Sequence, residues 1–168
     1  MINSAILKRR SVREFTNQKI SKDQILEIIK AAQFSPTAMN NRAWEFLVLE
    51  DQADKDKLFD VMDVHSRQEQ VKIAPIVLIP LMNTDKSILP VQDLSIAIEN
   101  IFIQITEMGL GSFWKNVLPS ETDNIRLAFN IPDNYRILSV LPIGYPARET
   151  KDHSDTEFDA TKIHWNKW

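Results

Sequence analysis

Asp93-Leu94-Ser95-Ile96-Ala97-Ile98-Glu99-Asn100-Ile101-Phe102-Ile103-Gln104-Ile105-Thr106-Glu107-Met108-Gly109-Leu110-Gly111-Ser112-Phe113-Trp114 is the stretch that decides how this chain folds. Leu94, Ala97, Ile98, Ile101, Ile105 and Met108 recur at spacings of three and four, which predicts one stripe of a helix running from Asp93 to Met108. Gly109 stands where such a helix needs a terminator. Ile96, Phe102 and Ile103 fall outside the stripe, so the helix is apolar on most of its circumference and has to be covered on most sides. It is therefore a central element or part of a subunit interface. The glycine pair after it has two readings, a plain helix cap or a turn that lets backbone approach something flat or closely packed.

Working outward, Ser21 followed three residues later by Gln24 is a capping box, and Ile25, Ile28, Ile29 and Ala32 continue at helical spacing, predicting a helix over Lys22 to Gln33. Ser35-Pro36-Thr37-Ala38-Met39-Asn40-Asn41 stops it, since proline disfavours helix for the residue before it. Trp44 to Leu49 reads as a strand. Asp51 to His65 is amphipathic and predicts a second helix. Pro75 to Leu81 is an almost unbroken apolar run, as in a strand covered on both faces, with Pro80 disturbing one end. Ser120 is expected to cap a helix ending at Phe129, Asn130 to Asn134 to turn, and Ile137 to Ile143 to form a third strand before Gly144-Tyr145-Pro146. The polar tail ends in Ile163-His164-Trp165-Asn166-Lys167-Trp168, whose two tryptophans are expected to be covered. No repeat or linker interrupts this order, which predicts a single α+β or α/β domain over residues 1–168.

Composition narrows the function. With 43% apolar and 26% charged residues over 168 positions, the chain can bury a sizeable core. Twenty Lys and Arg against 23 Asp and Glu give a formal net charge of −3, which disfavours nucleic acid as a partner. The absence of cysteine excludes disulfides, thiolate metal sites and a cysteine nucleophile. His65, His153 and His164 lack metal-ligand spacing, so no metal is expected. There is no Gly-x-Ser-x-Gly elbow, Walker loop or Gly-x-Gly-x-x-Gly, and only three glycines occur in all. No apolar run reaches the ~20 residues of a membrane span, and the start does not read as an export signal, so the expected location is cytoplasmic.

Against that acidic balance, Lys8-Arg9-Arg10-Ser11-Val12-Arg13-Glu14-Phe15 puts four cations and a hydroxyl into six positions. Guanidinium forks and a hydroxyl suit a phosphate; the competing reading is a solvated charge run.

Four motifs in order change the balance: Arg9 to Phe15, Ser35 to Trp44, Gly109 to Trp114, and Pro142-Ile143-Gly144-Tyr145-Pro146. Together they resemble the FMN-dependent nitroreductase family over nearly the whole chain. The resemblance implies an α+β sandwich with a central sheet flanked by helices. It further implies an intertwined homodimer in which the long helix is the central dimer helix, the tail wraps the partner, and both chains build each of two FMN sites. The implied activity is an NAD(P)H oxidoreductase. Hydride passes from NADH or NADPH to flavin N5 and on to a small-molecule acceptor, a nitroaromatic or quinone, by ping-pong kinetics, with no catalytic side chain beyond the flavin itself. Same-fold alternatives are a flavin reductase, a dehalogenase, an enoate reductase, or a flavin-binding redox sensor.

Carried over residue by residue, the resemblance assigns Arg9, Arg10 and Ser11 to the phosphate and ribityl end, with Lys162 as a second basic position. Arg13 falls at the N1 and O2 edge of the isoalloxazine, where negative charge gathers on reduction and a cation raises electron affinity. Pro36, Thr37, Ala38 and Asn40 line the ring or ribityl chain; Gln70, with Arg67 near it, meets the pyrimidine edge; Trp114, Lys115 and Asn116 run beside the ring. Thr37-Ala38 stands where the family often has two serines, and Arg42-Ala43 where it has Gln-Pro. The segment between Met82 and Gln92 is too short for the helical excursion that covers the site in longer members, which implies an open pocket.

Overall fold

A computed structural model of the chain describes residues 2–168. Helix α1 (Ser4–Lys8) opens it, with the Asn3 side chain accepting the Ala5 N–H at 2.8 Å. In α2 (Lys22–Gln33) the capping box forms as expected, Ser21 and Gln24 each accepting the other's backbone N–H at 3.2 and 3.0 Å. Strand β1 (Trp44–Leu49), helix α3 (Gln52–Val61), the turn of helix α4 (Gln70–Ile73) and strand β2 (Ile76–Asn83) follow. The long helix α5 (Pro90–Glu107) leads to short strands β3 (Gly111–Ser112) and β4 (Lys115–Asn116), helix α6 (Pro119–Phe129), and strands β5 (Tyr135–Ile137) and β6 (Ser139–Gly144).

Four sequence expectations are corrected. Helix α3 stops at Val61, not His65, because the Asp63 N–H is captured by the Glu121 carboxylate at 3.0 Å and Met62 turns extended into the core. The long helix starts at Pro90, a turn before Asp93, since a proline at the first helical position gives up no intrahelical bond. Helix α6 is capped without Ser120: Pro119 fills its first position, and Glu121 reaches back to accept the Leu118 N–H at 2.7 Å. The third strand is broken in two at Leu138. Leu81 pairs with Ile137 but Leu78 pairs with Leu141, so two residues of β2 face three on the other chain segment. This one-residue bulge lies opposite Pro80, which has no N–H to offer the ladder.

All six strands pair antiparallel, in the order β1-β2-β6-β3, with β5 beside β2 and β4 beside β6. Alternation along β2 splits the core in two. Ile76, Leu78 and Met82 pack with Leu141, Ile143 and the stripes of α2 and α5; Val77, Ile79 and Leu81 face Leu58 and Phe59 of α3 and Ile125 of α6. The α5 stripe predicted from spacing is the buried one, Leu94, Ala97, Ile98, Ile101 and Ile105 being at most 1% exposed. Ile96 and Val91 on its other side stay exposed in the chain, at 42% and 40%. The helix ends in a Schellman motif: Gly109 has φ +72°, its N–H bonds the Thr106 carbonyl, and the Leu110 N–H bonds the Ile105 carbonyl at 2.8 Å. The tail is uncovered by its own chain, with Trp165 82% exposed and Trp168 fully so. Among the described residues no helix is long and apolar enough to cross a membrane.

Candidate functional site

The basic run is joined to the glycine turn by the sheet edge. Ser11 bridges Ser112 in parallel, the Val12 N–H donates to the Ser112 carbonyl at 2.9 Å, and further on Phe15 bridges Pro146. Gly111 permits this contact, since a Cβ there would lie 2.5 Å from Val12 Cγ2. Alternation then buries Val12 and turns Ser11 and Arg13 outward. Arg13 is held with its guanidinium 4.8 Å over the Phe113 ring. Among the described residues neither Arg9 nor Arg13 pairs with a carboxylate.

Arg10 is more engaged. Its Nη1 lies 3.1 Å from His153 Nδ1 and 3.6 Å from a Glu157 oxygen, while His153 Nε2 lies 3.0 Å from the Arg9 carbonyl. The hydrogen bond to His153 holds the Glu157 carboxyl below its usual range, and the charges of His153 and Arg10 add to this. A cavity of about 500 Å3 opens beside this contact, lined among others by Lys8, Arg10, Val12, Gly109 and Arg148. Lys162 is not brought here; it lies in a turn of the tail and pairs with Asp159 at 3.6 Å.

The Pro36 loop is at the other end of α5. The buried Asp93 carboxylate accepts the Ala38 N–H at 2.9 Å and the Ser87 hydroxyl at 2.8 Å. Thr37 Oγ1 accepts the Arg42 N–H at 3.2 Å, and Met39, Asn40 and Arg42 all have left-handed backbone, φ 51° to 55°. Three such non-glycine residues in one loop are unfavourable by themselves and mark a loop held for a purpose. The Ser35 hydroxyl and the Asn41 side-chain oxygen Oδ1 are buried without a hydrogen-bond partner in the chain.

The third part is organised around Glu121. Its carboxylate accepts the Ser66 hydroxyl at 2.5 Å, the Asp63 N–H at 3.0 Å and the Leu118 N–H, and pairs with Lys115 at 3.2 Å. Burial alone would push Glu121 up; the hydrogen bonds from Ser66 and Leu118, the Lys115 charge and the Asp63 N–H outweigh it and hold the carboxyl below its usual value. The Lys115 side chain is thus turned inward, 6% exposed, so only its backbone faces the turn. Trp114 stays partly exposed at 38%. Arg67 lies over the Phe59 ring at 4.7 Å, and Gln70, partly buried, starts α4.

Sequence reading missed Phe113, Asp93, Ser66, Glu121 and His153. The signals available were weak: an acid in the first turn of an apolar helix, and an acid two residues after Pro119. Nothing local marks His153.

The donor set suits a phosphorylated aromatic cofactor. Two cations without carboxylate partners and an exposed hydroxyl stand at one end of α5, with Arg13 over the Phe113 ring, and a strained loop with two unsatisfied buried oxygens stands at the other. The fold defines a class, α+β sandwich proteins in which an antiparallel sheet is flanked by helices, and the cations of this site suit a phosphorylated cofactor. The nitroreductase family profile matches residues 6–78 and 63–145. A protein of Methanothermobacter thermautotrophicus, described as a candidate NADH dehydrogenase/NAD(P)H nitroreductase, is 35% identical over 98% of this chain and 86% of its own. A Thermotoga neapolitana iodotyrosine deiodinase is 25% identical over 87% of this chain and 89% of its own. A solved FMN-dependent nitroreductase from Clostridium difficile superposes with a TM-score of 0.91 at 29% identity, covering 98% of each chain. The chain belongs to the nitroreductase family.

Proposed function

We propose that the protein is an FMN-dependent NAD(P)H oxidoreductase of the nitroreductase type, acting as a homodimer on flat electrophiles such as nitroaromatics and quinones. The observation that carries this reading is the cradle of Arg9, Ser11 and Arg13 fixed against Gly111-Ser112-Phe113-Trp114 by the Val12 hydrogen bond. Arg9, Arg10 and Ser11 would hold the phosphate without Lys162, which pairs with Asp159 in the tail; Arg13 would set a fixed positive charge at the ring, with Gln70 and the backbone of Trp114 and Lys115 alongside. FMN, when bound, supplies the two-electron chemistry, taking hydride from NADH or NADPH and passing it to the acceptor.

The positions of the two halves of the site support a dimer. Asp93 carries the Pro36-Thr37-Ala38 loop at one end of α5, and Gly109 leads to the basic run at the other, ~24 Å away along a helix rising 1.5 Å per residue. A second copy laid antiparallel along α5 brings its Pro36, Thr37, Ala38 and Asn40 to the first copy's Arg13. It also covers Val91, Ile96 and the tail tryptophans. The short 84–89 loop between β2 and α5 leaves the pocket open, which favours several acceptors over one.

The test is the absorbance spectrum of the purified protein, followed by anaerobic NADH and NADPH and then a panel of nitroaromatic, quinone, halogenated aromatic, enoate and free-flavin acceptors. A yellow protein bleached by a nicotinamide and reoxidised by several flat acceptors is expected. A colourless protein unable to take up FMN sinks the reading; a yellow one bleached by neither nicotinamide leaves a binding role; strict preference for one small metabolite overturns the open pocket.

A further inference from the structure

Glu121 and Ser66 lie outside the residues that the family resemblance assigns, yet they join two segments assigned to the flavin ring. Lys115 is a residue of β4, directly after Trp114; Ser66 and Asp63 lie in the loop that carries Arg67 and runs into Gln70. One fully buried carboxylate holds both, accepting from Ser66 and Asp63 on the loop side and from Lys115 on the strand side. The Lys115 ammonium also reaches the Asn116 carbonyl at 2.5 Å and the Ser66 hydroxyl at 3.4 Å, closing the ring of contacts. Within itself loop 63–70 has one turn, the Ser66 and Arg67 N–H groups donating to the Asp63 carbonyl at 3.0 and 2.8 Å, and Glu121 ties that turn at Asp63 and Ser66 to the strand side.

We infer that Glu121 is a positioning residue for the cofactor site, and that the Ser66 hydroxyl is the contact through which it couples loop 63–70 to the Trp114–Asn116 edge. The inference rests on the flavin reading above. Its physical basis is that a hydrogen bond to a buried carboxylate is stronger than a neutral one, and that a loop already held in place charges no ordering cost to the ligand. Binding FMN and ordering loop 63–70 are then one equilibrium.

The mild variant is Ser66→Ala, which removes one bond and leaves the Lys115–Glu121 pair intact; Ser66→Thr restores the hydroxyl. Three quantities are read: the FMN Kd, the amide exchange of residues 63–70 with and without FMN, and the melting midpoint of the FMN-free protein. S66A is expected to raise the FMN Kd about tenfold, to speed exchange at 63–70, and to lose the protection that FMN gives there, while the midpoint falls by no more than the few degrees one hydrogen bond is worth. S66T is expected to recover most of the affinity. Glu121→Gln, which leaves amide hydrogens facing the Leu118 N–H and Lys115, weakens FMN further. S66A and wild type binding FMN equally, with 63–70 loosened in S66A, would overturn the coupling. A wild type that takes up no FMN overturns the flavin reading and the coupling with it, a result distinct from equal binding.

Discussion

Substituting Gly111→Ala tests whether the basic run is held by close packing on β3. An added Cβ would meet Val12 Cγ2 at 2.5 Å, Val12 Cβ at 2.6 Å and Val12 Cγ1 at 2.9 Å, and none of these is the far end of a flexible side chain. Segment 9–13 therefore has to lift off β3, straining or losing the Val12 N–H bond to Ser112. Overpacking costs about 1–3 kcal/mol and the hydrogen bond about 0.5–1.5 kcal/mol, together about 1.5–4.5 kcal/mol. At about 2–4 °C per kcal/mol for a chain of this size, the melting midpoint falls by about 3–18 °C. FMN affinity falls with it, because Arg9, Ser11 and Arg13 ride on the displaced segment. Chemical denaturation and fluorescence titration of FMN measure the two effects. A double-mutant cycle sharpens the test. Val12→Ala relieves the G111A clash only in part, because the Val12 Cβ is itself at 2.6 Å, whereas Val12→Gly removes all three close contacts. A G111A protein with wild-type stability and FMN affinity, or one unaffected by V12G, would refute the packing argument.

Arg13→Ala is expected to lower the flavin reduction potential more than Arg9→Ala, while Arg9→Ala chiefly weakens FMN retention; spectroelectrochemistry and dialysis separate them, and equal effects on both quantities would count against the division. Glu121 has a folded pKa below the ordinary carboxyl value of 4.5, so its contribution to stability is complete above that pH and is lost as pH falls through the folded value. Glu121→Gln therefore flattens the acid limb of a stability-against-pH curve measured by denaturant titration. Removing residues 149–168 is expected to shift the protein toward monomer in light scattering and to release FMN, as the partner loses the tail that wraps it; a truncated protein still dimeric and yellow would argue against the wrapping tail. Gly144→Ala is expected to destabilise by about 1–3 kcal/mol, because its Cβ would meet Pro75 Cδ at 2.7 Å and the Phe15 ring at 2.9 Å, and unchanged denaturation would contradict that.

Much of this protein is written in contiguous residues. The stripe of α5 with its Gly109 terminator, the Ser21 to Gln24 capping box and strand β1 depend on neighbours within a turn or two, so periodicity and capping chemistry suffice to read them. The order of the four motifs was likewise enough to point to the nitroreductase family. What only the tertiary structure decided are contacts between residues far apart in sequence. Helix α3 is cut short because a carboxylate 58 residues away takes the Asp63 N–H. The last strand breaks where it meets Pro80 across the sheet, and Lys115 turns from the turn it belongs to toward a buried partner on α6. Gly111 matters because Val12, about a hundred positions earlier, packs on it, and Arg13 becomes a fixed charge because Phe113 lies beneath it. A backbone donor or an ammonium goes to whichever acceptor the packed core leaves beside it, and that acceptor is named by the fold, not by the local sequence.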